Sequence, residues 1–278
     1  MKKNENPKIK ILVCCHKSGK WLSDDVYMPI QCGKAISDVD LGIQGDDTGD
    51  NISAKNPGYC ELTAMYWAWK NLKDVDYIGL CHYRRYFDFQ SSALRCVKNV
   101  NILPDYVEKI PSCMIDFCSK NNSIVVAKPY TFYCNMMHWY AIQHNSNDMK
   151  LLRNVLEEKY PNYICAFDNM LYSNKMLAYN MFICKKNIFD NYCEWLFDIL
   201  FDLEKKIVVN YEDNYQKRVL AFLSERLMTV YALHNRMDVK YIPILFLSDS
   251  KNESYFKYMT RTYLDNIIAS ILSIRQKK

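Results

Sequence analysis

The sequence predicts an α/β domain in which a mostly parallel sheet is buried between helices. Short apolar runs of strand length recur at Lys8–Cys15 (KIKILVCC), Tyr77–Cys81 (YIGLC) and Ser123–Ala127 (SIVVA), and they are too continuous for strands wetted on one side. Between them lie longer stretches whose apolar residues return every three or four positions, the period of a helix packed on one face. Strands alternating with helices in this order build a sheet covered on both sides. The chain has 278 residues, half of them apolar, with only 7 Gly and 8 Pro, so it can fill one large domain with its own core.

Each element has its own signal. Lys8–Cys15 is the first buried strand. Lys17 to Asp50 is polar and broken by Gly33, Gly42, Gly45 and Gly49, which reads as a long loop. A helix follows, with Asn56 as N-cap, Pro57 at the first helical position and a stripe of Leu62, Met65, Tyr66, Trp69 and Leu72. The strand Tyr77–Cys81 comes next, then a helix over Asn101–Lys120 and the strand Ser123–Ala127. Met149–Tyr160 is a helix stopped by Pro161, and Met181–Cys184 is a strand. Phe189–Glu204 and Asn214–His234 are strongly apolar helices, and Val239–Phe246 is a last strand that Pro243 makes an edge or a bend. Residues 1–250 make the main domain, and 251–278 a basic amphipathic C-terminal helix with Phe256, Met259, Tyr263, Ile267 and Ile271 on one stripe. That stripe suits docking on the body or lying on a membrane surface with Arg275, Lys277 and Lys278 against anionic lipid.

Composition excludes several classes. The 12 cysteines sit inside apolar runs, with no paired CxxC, so free thiols in a reducing cytoplasm are expected and a zinc site is not. The basic N-terminus carries too short an apolar run for a signal peptide, and no stretch of membrane-spanning length exists. Net charge is +5, of which residues 251–278 hold +4, so the nearly neutral body is a poor nucleic-acid binder.

The segment from Asn51 to Phe87 carries the chemistry. A buried strand runs into HYRRYF, which delivers His82, Arg84 and Arg85 to its carboxyl end, where open α/β sheets bind ligands. Guanidinium groups there suit phosphate oxygens. If the strand stays extended, His82 and Arg84 share one face, and Tyr83 and Arg85 the other. The plain alternative is a salt-bridge network with Asp76 and Asp88. Ser53 and Lys55 stand at the helix start, and Thr48–Ser53 (TGDNIS), with Asp50 and Asn51, forms a polar loop able to hydrogen-bond a base or ribose.

YCELTAMYWAWKN followed by DYIGLCHYRRYF resembles a family of bacterial glycosyltransferases from capsular polysaccharide and O-antigen gene clusters, long known only as a domain of unknown function. Weaker matches continue through TGDNIS, KPY (Lys128–Tyr130), YNMFICKK (Tyr179–Lys186), YCEWLFDIL and FLSERL (Phe222–Leu227), covering roughly residues 8 to 245. The family is similar to glycosyltransferase-A (Rossmann-like) enzymes. The resemblance implies a UDP-sugar donor, galactose in pyranose or furanose form among the candidates. It also implies a carbohydrate or lipid-linked glycan acceptor and work at the inner face of a bacterial membrane.

Many glycosyltransferase-A enzymes hold a divalent ion on an Asp-x-Asp motif just after a strand. Here Asp74-Val75-Asp76 precedes the strand, so the expectation is no metal site there, with HYRRYF doing the electrostatic work and a Mn or Mg ion held elsewhere as the alternative. A general base for the acceptor hydroxyl is sought among Glu225, Asp168 and Asp148, each of which has a structural alternative as ion pair, turn residue or cap. Tyr130 and His144 are candidate acceptor contacts. A non-catalytic glycan- or phosphate-binding module on the same fold is the rival reading.

Overall fold

The computed structural model describes residues 7–91 and 96–248. The expected C-terminal helix and the boundary at 250/251 therefore fall outside the described residues. The chain opens with β1 (Ile9–Cys15), β2 (Tyr27–Gln31) and β3 (Gln44–Gly45), followed by α1 (Asn56–Tyr59) and α2 (Leu62–Asn71). Next come β4 (Tyr77–His82), β5 (Arg85–Phe87), β6 (Val97–Val100), α3 (Ser112–Ser119), β7 (Ser123–Ala127) and β8 (Tyr130–Thr131). Then follow α4 (Met136–Gln143), α5 (Ser146–Lys159), α6 (Ile164–Tyr172), β9 (Lys175–Met176) and β10 (Phe182–Lys185). The chain ends with α7 (Lys186–Lys206), α8 (Val219–His234), β11 (Asp238–Ile242) and β12 (Ile244–Leu247).

The main sheet runs β11-β7-β10-β4-β1-β2-β3. β10 is antiparallel to both its neighbours, and every other pair along this path is parallel. Strand alternation divides the core. Leu12, Ile78, Leu80, Ile124, Val126 and Phe182 face the layer that holds α2 and α5 to α8. Ile11, Val13, Cys81, Val125 and Ile183 face the layer with α3. Gly79 is required in β4, because a Cβ there would lie 2.8 Å from the Phe182 carbonyl oxygen. Cys14, Cys15, Cys81, Cys184 and Cys193 are buried free thiols.

Five local expectations change. Asn101–Lys120 is not one helix: a 3-10 turn at Asp105–Glu108 and α3 are separated by extended backbone at Lys109 and Pro111. Lys17–Asp50 is not all loop: it contains β2, whose Pro29 is tolerated because β3 pairs only with Ile30 and Gln31. The helix expected from Asn56 is broken into α1 and α2 at Cys60, and Asn56 bridges the break instead of capping it, donating to the Cys60 carbonyl (2.8 Å) and to Thr63 Oγ1 (3.1 Å). The last strand divides at Pro243 into β11 and β12. Finally, the strand does not continue through HYRR. The chain turns at Tyr83–Arg84, and β5 returns antiparallel with His82 opposite Arg85.

Candidate active site

The hairpin decides which arginine is available. Because β5 folds back, His82 and Arg85 sit side by side at the carboxyl end of β4, and Arg84 points elsewhere. Arg84 Nε donates to the Leu247 carbonyl (2.9 Å), and its guanidinium lies over Phe246. Arg85 lies 4.4 Å from the Tyr179 ring centroid, and among the described residues its guanidinium has no hydrogen-bond or ion-pair partner. His82 Nε2 donates to the Tyr179 carbonyl (2.7 Å), which fixes its tautomer. Burial and then the Arg85 charge push its pKa down to about 4, so the ring is neutral near pH 7.

These groups line a cleft of about 570 Å³ at the carboxyl ends of β1, β2 and β4, closed by the turn before β10 and by α8. Two carboxylates enter it, Glu61 and Glu225. Glu61 is aimed by strained backbone: Cys60 before it adopts φ 49, ψ −125, a conformation few side chains tolerate. Asn180 Nδ2 donates to Glu61 Oε1 (2.8 Å), and the Tyr179 N–H donates to Glu225 Oε1 (2.7 Å). Tyr179 and Asn180 are themselves consecutive left-handed residues, φ 72 and 50, so one unusual turn holds both acids. Glu225 Oε2 also accepts from Arg226 Nη1 at 3.1 Å. Burial raises the pKa of both acids. Asn180 and then Arg226, respectively, oppose the rise, and the charge of Glu61 adds to that of Glu225.

A second cation, Arg218, faces this pair. Its Nε donates to Cys60 Sγ (3.2 Å), and its guanidinium lies over Phe222. The cleft thus combines two cations able to receive an anion with two desolvated carboxylates able to take a proton. His16 stands at the mouth, edge-on to Tyr83.

Other residues singled out in the sequence lie elsewhere or at the margin. Ser53 is buried, donating to Asp46 Oδ1 (2.5 Å) and accepting from the Ala35 N–H. Asp50 accepts from the Tyr66 hydroxyl, and Asn51 Nδ2 donates to the carbonyls of Asp47 and Gly49. Lys55 pairs with Glu204 at 2.6 Å. Asp50 and Lys55 tie the loop to α2 and α7, Ser53 and Asn51 bond within the loop region, and none of the four lines the cleft. Asp168 lies in α6, gripped by Arg153 (3.1 and 3.4 Å), away from the cleft. Asp148 is buried at the start of α5, accepting from the Tyr140 hydroxyl (3.1 Å), and burial raises its pKa. Tyr130 reaches the cleft wall through its hydroxyl, 2.5 Å from that of Tyr179. His144 donates to Gln216 Oε1, stacks on Tyr215, a cleft residue, and is pushed by burial to a pKa of about 4. Glu61, Arg218 and Tyr215 escaped the sequence reading. The only available signal was a carboxylate at the start of an apolar helix, just after a Pro-Gly turn.

Asp76 lies at the amino end of β4, opposite the cleft, and accepts from the Lys8 N–H (2.8 Å). In the cleft, Glu61 and Glu225 already accept from protein donors, and among the described residues no group of three or more His, Cys, Asp or Glu converges as a metal cage. Among the described residues, no helix is long and apolar enough to cross a membrane.

A family model described as a domain of unknown function (DUF4422) matches residues 10–236. Among solved structures, the apo form of the bifunctional glycosyltransferase WbbM superposes with a TM-score of 0.78 at 34% identity. The match covers 87% of this chain and 46% of that one, so the chain spans about half the length of WbbM. No curated protein matches. With this neighbour and the mixed, mostly parallel sheet flanked by helices, the fold is glycosyltransferase-A-like.

Proposed function

Because the chain belongs to the DUF4422 family, whose description names no activity, we propose a function from its cleft: transfer of a sugar from a UDP-sugar to a growing cell-surface polysaccharide or lipid-linked glycan. The observation that carries this reading is the pairing of Arg85 and Arg218 with Glu61 and Glu225 in one cleft at the strand ends. The structural likeness to a glycosyltransferase supports it. Galactose, as pyranose or furanose, is the first donor sugar to test, and the setting is the cytoplasmic face of a bacterial membrane.

The chemistry follows from charge. The acceptor hydroxyl oxygen bonds to the anomeric carbon as the bond from that carbon to the diphosphate oxygen breaks. The electron pair leaves with UDP, and Arg85 and Arg218 stabilise the charge that develops on it. Glu225 takes the hydroxyl proton. Its raised pKa makes it a stronger base than an exposed carboxylate, and Glu61 contributes to that rise. Neutral His82 carries no competing positive charge and holds the Tyr179 turn in place. No step needs a metal ion.

The test is a panel of UDP-sugars, read by thermal shift and by donor hydrolysis. One donor should raise the melting temperature and be turned over. A protein stabilised by no nucleotide would sink the proposal. Binding without turnover, unchanged by Glu225→Gln, would assign the cleft to a glycan- or phosphate-binding module instead.

A further inference from the structure

α8 serves a second cavity. Thr229 and Ala232 follow Glu225 by four and seven residues, so they lie close to its side of the helix, about 6 and 10 Å along its axis from Glu225. The cavity measures about 400 Å³, and Leu177, Ala232, Leu233, Met237, Val239 and Tyr241 give it a mainly apolar lining. It opens to solvent, with Leu233 49% and Tyr241 51% exposed. Lys175 and Arg236 also line it, both exposed. Among the described residues neither side chain has a hydrogen-bond or ion-pair partner.

Two details point to an occupant. Arg236 sits at φ 49, just past the end of α8, where the Met237 N–H closes the helix onto the Ala232 carbonyl (3.0 Å). Glycine is favoured at that position, yet a long cation occupies it beside the cavity. Thr229 Oγ1 is buried and has no partner among the described residues. Apolar walls want a hydrocarbon, and two unpaired cations want an anion. Charge also disfavours two other occupants: residues 251–278 carry +4 and the whole chain +5, so neither the chain's own end nor a second copy complements a cationic rim.

We propose that this cavity binds a phosphate-headed, single-chain amphiphile, with the hydrocarbon between α8 and β11 and the phosphate on Lys175 and Arg236. The site stands apart from the transfer reaction and is tested without it.

The probe is dodecyl phosphate below its micellar concentration, titrated calorimetrically into the full-length protein. Saturable 1:1 binding is expected, with dodecyl maltoside and inorganic phosphate each much weaker. Lys175→Gln with Arg236→Gln should weaken dodecyl phosphate about tenfold or more, as lost charge-assisted bonds do, and should leave the maltoside unchanged. Ala232→Phe should fill the cavity and remove binding. If that variant folds poorly, Leu233→Glu at a half-exposed position serves the same end by repelling the head. Equal binding of phosphate and maltoside amphiphiles, or binding indifferent to all of these substitutions, would overturn the proposal. So would binding that appears only after Ile267→Asp with Ile271→Asp, because it would hand the cavity to the chain's own C-terminal segment.

Discussion

The two adjacent arginines should separate cleanly, because the hairpin gives them different work. Arg85 faces the cleft with an uncommitted guanidinium, and Arg84 is spent on the Leu247 carbonyl. Loss of a preorganised donor to developing negative charge costs about 2.7–4 kcal/mol, so Arg85→Ala should lower kcat/KM by roughly 10²- to 10³-fold. Its stacking on Tyr179 is worth about 1 kcal/mol of folding stability, a fall of roughly 2–4 °C in Tm. Arg84→Ala should invert the pattern. A charged donor to a carbonyl is worth about 1.5–3 kcal/mol, so Tm should fall by several degrees while kcat/KM stays within a few-fold. Arg85→Lys should recover only part of the activity, since an ammonium cannot form the two-pronged contact. An independent readout exists in His82. The Arg85 charge helps hold its pKa down at about 4, so Arg85→Ala should let the imidazole titrate at higher pH by NMR. Initial rates with the identified UDP-sugar, melting curves and that titration make up the assay. Full activity in Arg85→Ala, or equal losses in the two variants, would refute the reasoning.

Five further outcomes are expected. Glu225→Gln should abolish most turnover while donor binding, measured by thermal shift, persists; retained turnover would move the proton acceptor elsewhere. Glu61→Gln should move the acid limb of kcat/KM to lower pH, because removing the Glu61 charge lets the Glu225 pKa fall and the base ionise earlier; an unmoved limb would break the coupling. The same substitution should flatten the pH dependence of stability. Both acids hold protons more tightly folded than unfolded, so native stability falls as pH rises from the ordinary carboxyl range through their raised pKa values. Activity should survive EDTA, and Asp74→Ala should be nearly silent; inactivation by EDTA with recovery on manganese would show a metal site that the cleft carboxylates do not reveal.

The strands β1, β4 and β7 were legible because a central strand covered on both faces is a run of apolar residues, whatever the rest of the chain does. The HYRR cluster was legible as chemistry but not as geometry. A two-residue turn at Tyr83–Arg84 carries none of the Asn or Gly that usually announces a hairpin, so nothing marked Arg85 rather than Arg84 as the one facing the cleft. Glu61 was hidden for a related reason: its direction depends on Cys60 adopting a positive φ, which sequence normally advertises with glycine. The loop through Asp50, Asn51 and Ser53 has the composition of a ligand loop, but its hydrogen bonds are consumed by Asp46, Tyr66 and its own carbonyls. Asp168 shows the limit of reading carboxylates by neighbours. Its apolar flanks belong to α6, and its partner Arg153 comes from a different helix that sequence alone did not bring beside it.

Cys60 has a consequence for anyone who engineers this protein. A side chain held at φ 49, ψ −125 stores about 1–3 kcal/mol, so a screen for heat resistance would be drawn to Cys60→Gly. The same change would remove the thiol that Arg218 grips and free the peptide that aims Glu61. Sturdiness and turnover are therefore set against each other at one residue. A variant chosen for endurance alone would arrive well folded, with its acid pointing in many directions.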